Sequence, residues 1–435
     1  MVATLTLLGT LISVNGDPET EIKSDVTVIG GGPSGAAAAY WLAMRGFDVT
    51  VVEKKVFPRD KTCGDGLTPR AVVQLEAMGL ADFLKTQHRY LGLRTIAFNR
   101  SYEIPWPRHP EFPEYGYISR RSILDQAVLS RAQEAGARVF MHHEALSAET
   151  GTGGITAVAT RNLDSGESIN LVSKFYVLAE GSNARVSRSL GATRDQAKPL
   201  GLAIRTYHPT ARADEEWVES HLDLRDSSGA VIPGYGWIFP AGDGSANVGF
   251  GLLSNRSRWR KLNTTRELQR FVELADRTWT FGEPEFPATG GKLPMGLAIS
   301  PIAGRNYMMV GDAAASINPF NGEGISYAYE TGRLAAGILT QALATGDASM
   351  LGAYPEQLRA RLALYYAVAN AFVRFISEPK LMSAGVWSAM RSPALMAPVV
   401  SVMANLLPGS SAAQVERIYR FANTAREKLS QSRWG

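Results

Sequence analysis

The chain has 435 residues, 45% hydrophobic and 20% charged, enough for a large buried core spread over two or three packed units. Its net charge of +4 comes without a long Lys/Arg run, which excludes the basic footprint of a nucleic-acid binder. A single cysteine, Cys63, excludes an internal disulfide and fits a reducing cytoplasm; with six histidines and no close His/Cys pairing, no metal site is expected.

In chain order, the first fourteen residues, MVATLTLLGTLISV, are apolar but lack Lys and Arg and are too short to span a bilayer. They read as neither a secretory signal nor an anchor. Residues 1–23 are expected to be a disordered arm, and an over-extended start near Val14 is the alternative. Strand character begins at Val26–Ile29, a turn covers Gly30–Gly35, a helix runs over Ala36–Arg45 and stops at Gly46, and a second strand, DVTVVE, ends at Glu53. This is a βαβ unit. RDKTCGDGLTPRAVVQLEAMGL has a Gly-Asp-Gly turn before a helical pattern, GYISRRSILDQAVLSRAQEAGARVF reads strand, helix, strand, and KFYVLAEGSNARVSRSLG is a strand entering a glycine turn. The period of two in GLAIRTYHP, VESHLDL, GYGWIFPAG and SANVGFGLLS predicts an inserted antiparallel sheet. NYMMVGDAA returns to strand, a long helix starts near Ile325, and the chain from Leu351 is helical and rich in Met, Ala and Leu.

Gly30, Gly32 and Gly35 form G-x-G-x-x-G between a strand and a helix, with Glu53 closing the next strand. The first two glycines let the backbone approach a pyrophosphate, the third lets helix and strand pack, and Glu53 is placed to accept from a ribose diol. Its carboxylate would repel a 2′-phosphate, which leaves NAD or FAD. The late stretch VGDAAASINPFNGEGISYAYETGR selects FAD, because a second strand, Gly311-Asp312 and a Gly322/Gly324 turn before a helix suit a longer ligand. Asp312 would take a ribityl hydroxyl, and the helix after Gly324 would face the N1/C2 carbonyl edge of the flavin. The alternative for Asp312 is a helix N-cap.

The fold class expected is α/β: a Rossmann-like FAD-binding domain in two parts, 24–192 and 293–350, with an antiparallel-sheet substrate domain inserted over 193–292 and a helical C-terminal region over 351–435.

On these motifs the sequence resembles the aromatic-hydroxylase-like flavoprotein superfamily: GGGPSG, Glu53, RRSILD with Arg121 four residues before Asp125, LAEGSNARV, and GDAAASINPFNGEG. CGDGLTPRAV (Cys63–Val72) and PGYGWIFP (Pro233–Pro240) narrow the resemblance to the geranylgeranyl reductase family, and look most like its actinobacterial menaquinone reductases, which act on one isoprene unit. The resemblance implies FAD, an unidentified electron donor, a polyprenyl lipid substrate with menaquinone foremost, and a cytoplasmic enzyme in peripheral contact with the inner face of the cell membrane. It implies FAD contacts at Gly30, Gly32, Gly35, Glu53, Arg121 and Asp312, a turn near the flavin at Cys63, Gly64 and Asp65, and a substrate strand carrying Tyr235, Trp237 and Phe239. A geranylgeranyl lipid or diphosphate reductase and a flavin monooxygenase are the alternatives; the paired tryptophan motif of flavin halogenases is not found. Glu180 stands where many relatives have Asp, and Ala241 where many have Lys.

Reduction of an isolated alkene calls for hydride, a proton donor and exclusion of water. Tyr235, Trp237 and Phe239 suit the wall of an apolar tunnel, or equally a sheet–helix core. Cys63 is the candidate catalytic residue, as a proton donor or in closing the site, and otherwise a small buried hydrophobe. Asp65 is a carboxylic acid in reserve or a turn residue. Residues 351–435 carry ten basic and four acidic side chains, a net +6, around the apolar segments LMSAGVWSAM and ALMAPVVSVMANLL. That composition suits an interfacial membrane contact or a helical cap.

Overall fold

A computed structural model of the chain describes residues 20–226, 229–253, 262–376 and 378–406. The expected arm lies mostly outside the described residues, as does the tail beyond Leu406.

Short β-branched runs build the centre of the first layer. Val49–Glu53 is buried throughout and pairs in parallel with Val26–Ile29 on one side and Arg138–Met141 on the other. Val26–Ile29 pairs in turn with Phe175–Leu178, and Tyr176–Leu178 with Tyr307–Met309, all in parallel. Four carboxyl ends, Ile29, Glu53, Leu178 and Met309, therefore emerge on one side of the sheet. Ligands of open α/β sheets bind at such ends. The remaining two strands, His143–Gly151 and Gly154–Asn162, form an antiparallel extension.

The first strand begins at Thr20 rather than Val26, because Thr20–Lys23 continue the parallel ladder against Ile169–Val172. The polar residues there hid the strand, since both faces lie near the sheet's exposed end.

Helix Pro33–Ala43 is alanine-rich because it is buried on nearly every side. The helices Arg121–Glu134 and Ile325–Thr345 pack against it. A Cβ at Gly332 would run into the Ser34 carbonyl, so the helix following the late turn lies directly on the helix following the first.

The second layer is a seven-stranded sheet ordered 289–294, 200–209, 245–253, 234–240, 217–221, 92–97 and 100–105. It differs from the expected sheet in two ways. Gly92–Ala97 and Arg100–Pro105 come from outside 193–292, and Gly92–Ile96 pairs in parallel with Trp217–His221, so the sheet is mixed. These two strands cover what would otherwise be an open edge at Trp217–His221.

Alternation along Gly234–Pro240 decides which face meets what. Gly236 and Ile238 point to helix Thr264–Trp279, where Phe271 fills the space above Gly236. Leu268, Phe271 and Trp279 are each nearly fully buried there, worth about 2 kcal/mol apiece. Tyr235, Trp237 and Phe239 face the other way. Helices Ala353–Ile376, Pro379–Ala389 and Pro393–Met403 close the molecule over the end of this sheet, where Met390, Met396 and Val400 pack with Ile104 and Trp106.

Candidate active site

The two glycine turns meet at the carboxyl ends of the parallel strands. Gly30 has φ +104, and a Cβ there would strike the Ala179 carbonyl. A Cβ at Gly35 would strike the Gly30 carbonyl, so this glycine permits the helix–strand approach. Gly32 is different. The nearest atom to its Cβ position is Arg59 Nη2 at 3.6 Å, which leaves room in front of the backbone. The helix that starts there has no side-chain cap and no acidic residue in its first turn, so its N–H groups are left for an anion.

Glu53 is buried and pinned at both oxygens: Gly31 N donates to Oε2 and Lys55 N to Oε1, each at 2.8 Å. The carboxylate keeps further acceptor capacity toward the cavity it lines.

Asp312 faces the same cavity, with Oδ2 3.6 Å from Lys61 Nζ. Among the described residues no backbone N–H donates to its carboxylate, so the N-cap alternative is not adopted. Gly322 and Gly324 stand at the cavity wall, and helix Ile325–Thr345 begins after Gly324 without a side-chain cap. These features fit FAD: an open pyrophosphate cradle, a diol acceptor at one end, and a second carboxylate and uncapped helix at the other.

Arg121 is buried, donating to Asp125 through Nε at 2.7 Å and Nη2 at 2.6 Å, while Arg59 shares the same carboxylate at 3.1 Å. It borders the cavity and also meets the Cys63 thiol. Glu180 accepts from Val186 N, Ser187 N and the Ser187 hydroxyl, so it caps the short helix Arg185–Ser189.

The turn holding Cys63 is tied to strand Gly234–Pro240 by one amide. Asn247 Nδ2 donates to the Cys63 carbonyl at 2.8 Å and to Asp65 Oδ2 at 2.9 Å, while its Oδ1 accepts from Trp237 Nε1 at 2.9 Å. Asp65 is a turn residue, with φ +65, yet its carboxyl is fully buried and also accepts from the Tyr207 hydroxyl. Burial pushes this carboxyl up to about 6, against the hydrogen bonds of Tyr207 and Asn247 and the charges of Arg205 and Arg121.

All the expected site residues except Gly35 line one cavity of about 670 Å³. It runs from Gly30 and Glu53 past Cys63 and Asp312 to Tyr235, Trp237 and Phe239, and ends among Met382, Val386, Met396 and Val400 of the C-terminal helices.

Sequence reasoning missed Asn247, Glu323 and the contribution of the C-terminal helices to the cavity wall. Asn247 was signalled as the polar break in the apolar run SANVGFGLL. Glu323 was signalled as an acid between two glycines at the start of a buried helix. It lines the cavity, and its Oε1 accepts from the Thr68 hydroxyl and, at 2.6 Å, from the Ser326 hydroxyl.

The FAD binding domain family matches residues 23–366. The menaquinone reductase of Mycolicibacterium smegmatis is 39% identical over 94% of this chain and 98% of its own. The digeranylgeranylglycerophospholipid reductase 2 of Methanosphaera stadtmanae is 31% identical over 75% of this chain and 80% of its own. Among solved structures, a geranylgeranyl bacteriochlorophyll reductase-like protein of Thermoplasma acidophilum superposes with TM-score 0.71 at 22% identity, covering 92% of this chain and 96% of that one. A flavin-dependent brominase superposes with TM-score 0.73 at 18% identity, covering 94% and 100%. At those identities the two structures speak for the fold.

Proposed function

The chain belongs to the FAD binding domain family, in the branch that holds the menaquinone and geranylgeranyl-lipid reductases, and from that premise we propose that it saturates a C=C bond in a polyprenyl chain, one isoprene unit of menaquinone. The observation that carries this reading is the single cavity, which joins a dinucleotide cradle to an apolar channel. FAD supplies the hydride when bound and reduced.

The chain's own residues position the substrate and keep water out. Trp237, held by Asn247, and Phe239, beside Gly64 and Gly66, form a rigid apolar wall next to the Cys63 turn. Tyr235 is anchored through its hydroxyl, which leaves its ring to the channel. We assign Cys63 to closing the site around the alkene, and the FAD contacts to Gly30, Gly32, Gly35, Glu53, Arg121, Asp312, Gly322 and Gly324.

The far end of the channel motivates a peripheral membrane contact at the cytoplasmic face. Leu381, Trp387 and Leu395 are exposed on the same two helices whose inner faces line it. No helix among the described residues is long and apolar enough to cross a membrane. A polyprenyl chain would then pass from lipid into the protein without crossing water.

A competition assay tests the substrate class: reduced holoenzyme is offered menaquinone and a geranylgeranyl phospholipid together, and the extracted lipids are weighed by mass spectrometry. Preferential side-chain reduction of menaquinone is expected. Preferential reduction of the phospholipid would move the assignment to that substrate.

A further inference from the structure

We propose that Glu323 is the catalytic acid that protonates the alkene, an assignment that rests on the reductase reading above. A hydride brings two electrons and one hydrogen to one alkene carbon, and the Glu323 carboxyl gives its proton to the other. The π bond breaks, two C–H bonds form, the flavin is left oxidised, and Glu323 is left as a carboxylate that regains its proton from solvent.

The geometry of the carboxyl separates its two oxygens. Oε1 accepts from both the Thr68 and Ser326 hydroxyls, whereas Oε2 is buried and has no hydrogen-bond partner among the described residues. An ionised carboxylate left this way would hold charge on an unsolvated oxygen, which is costly. A neutral acid fits, with Oε1 as the carbonyl oxygen and the proton on the partnerless Oε2, in a side chain that lines the cavity.

The surrounding charges fit this state. Arg70 is the cation facing Glu323, and Glu330 engages it at 2.7 Å, so its charge is already matched. The Glu330 carboxylate also disfavours a charge on Glu323, and Tyr90, Tyr235, Tyr327 and Tyr366 are the other titratable groups near it, neutral phenols that bring no charge of their own. Burial raises the carboxyl above its usual range, outweighing Ser326, Thr68 and Arg70.

Neither neighbour serves as well. Asp65 shows the same pattern, Oδ2 doubly engaged and Oδ1 without a partner among the described residues, but its side chain is fully buried whereas Glu323 is partly exposed, and Cys63 lies beside the Arg121 guanidinium. Tyr235, one of the three aromatics of its strand that line the cavity, lies close enough to Glu323 for the two to interact.

The test compares wild type, Glu323→Gln and Glu323→Asp as FAD-loaded protein. Gln keeps a carbonyl oxygen for Thr68 and Ser326, so FAD content and the flavin spectral change on adding menaquinone should be retained. Anaerobic formation of the side-chain-reduced product by the pre-reduced protein, followed by mass after the quinone ring is reoxidised, should slow by about a hundredfold to ten-thousandfold, with partial recovery in Glu323→Asp. The wild-type rate should fall as pH rises through the raised carboxyl range, and Glu323→Gln should lack that limb. The infrared difference between wild type and Glu323→Gln at neutral pH should contain the carbonyl stretch of one protonated carboxyl.

A Gln variant within about twofold of the wild-type rate, an unchanged alkaline limb, or a difference spectrum without that band would overturn the assignment. If wild type itself leaves the side chain unsaturated, the reductase reading fails, while the infrared comparison still decides whether Glu323 is held as an acid.

Discussion

The Tyr235 hydroxyl donates to the Asn321 carbonyl at 2.6 Å, which ties strand Gly234–Pro240 to the turn that opens helix Ile325–Thr345. Tyr235→Phe keeps the ring and deletes this one bond, leaving the Asn321 carbonyl without it. Denaturant unfolding should show a loss of about 1 kcal/mol with FAD content unchanged. A wild-type unfolding midpoint would mean that the tie carries no load.

Glu53 offers the most direct check of the dinucleotide assignment. Glu53→Ala removes the acceptor for a ribose diol and orphans the Gly31 and Lys55 N–H groups. Hydrogen bonds to a charged group are worth about 1.5–3 kcal/mol, so FAD affinity should fall roughly tenfold to over a hundredfold. Undiminished FAD retention after dialysis contradicts the assignment.

Cys63→Ala separates a role in closing the site from the proton transfer assigned to Glu323. Removal of one sulfur from the cavity wall should leave FAD bound and lower turnover by about tenfold or less, since a closure defect costs only about 1 kcal/mol of positioning. A loss as deep as that expected for Glu323→Gln would shift the proton to the thiol; unchanged turnover would leave Cys63 a packing residue.

Asp65 predicts a specific pH dependence of stability. Burial raises its folded pKa to about 6, above the ordinary 3.8, so folding takes up a proton between those values. The stability linked to this group is fully present below about pH 4 and declines as pH rises through 6, by about 3 kcal/mol. Asn tolerates the left-handed backbone at this position. Denaturant unfolding of Asp65→Asn should therefore flatten that decline relative to wild type; parallel pH profiles would contradict it.

Local pattern made much of this legible. Gly30, Gly32, Gly35 and Glu53 act over a few dozen residues, and the helix start at Ile325 is marked by Gly324, so both were readable from spacing. The period of two along Tyr235, Trp237 and Phe239 placed these side chains on one face but left open which face met the channel. Gly236 against Phe271 settles that, a contact between distant segments that no spacing encodes. The parallel pairing of Gly92–Ile96 with Trp217–His221 was hidden for the same reason. Asn247 and Glu323 were missed because their chemistry depends on partners far along the chain, Cys63 and Thr68.

The product of one anaerobic turnover shows whether the protein saturates the side chain. Dithionite-reduced holoenzyme is mixed with menaquinone bearing an unsaturated side chain, the lipid is extracted, the quinone ring is reoxidised, and the mass is measured. A reductase of the polyprenyl chain yields a gain of two hydrogens that survives ring reoxidation and maps to one isoprene unit. A flavin that reoxidises while the side-chain mass stays unchanged would contradict it.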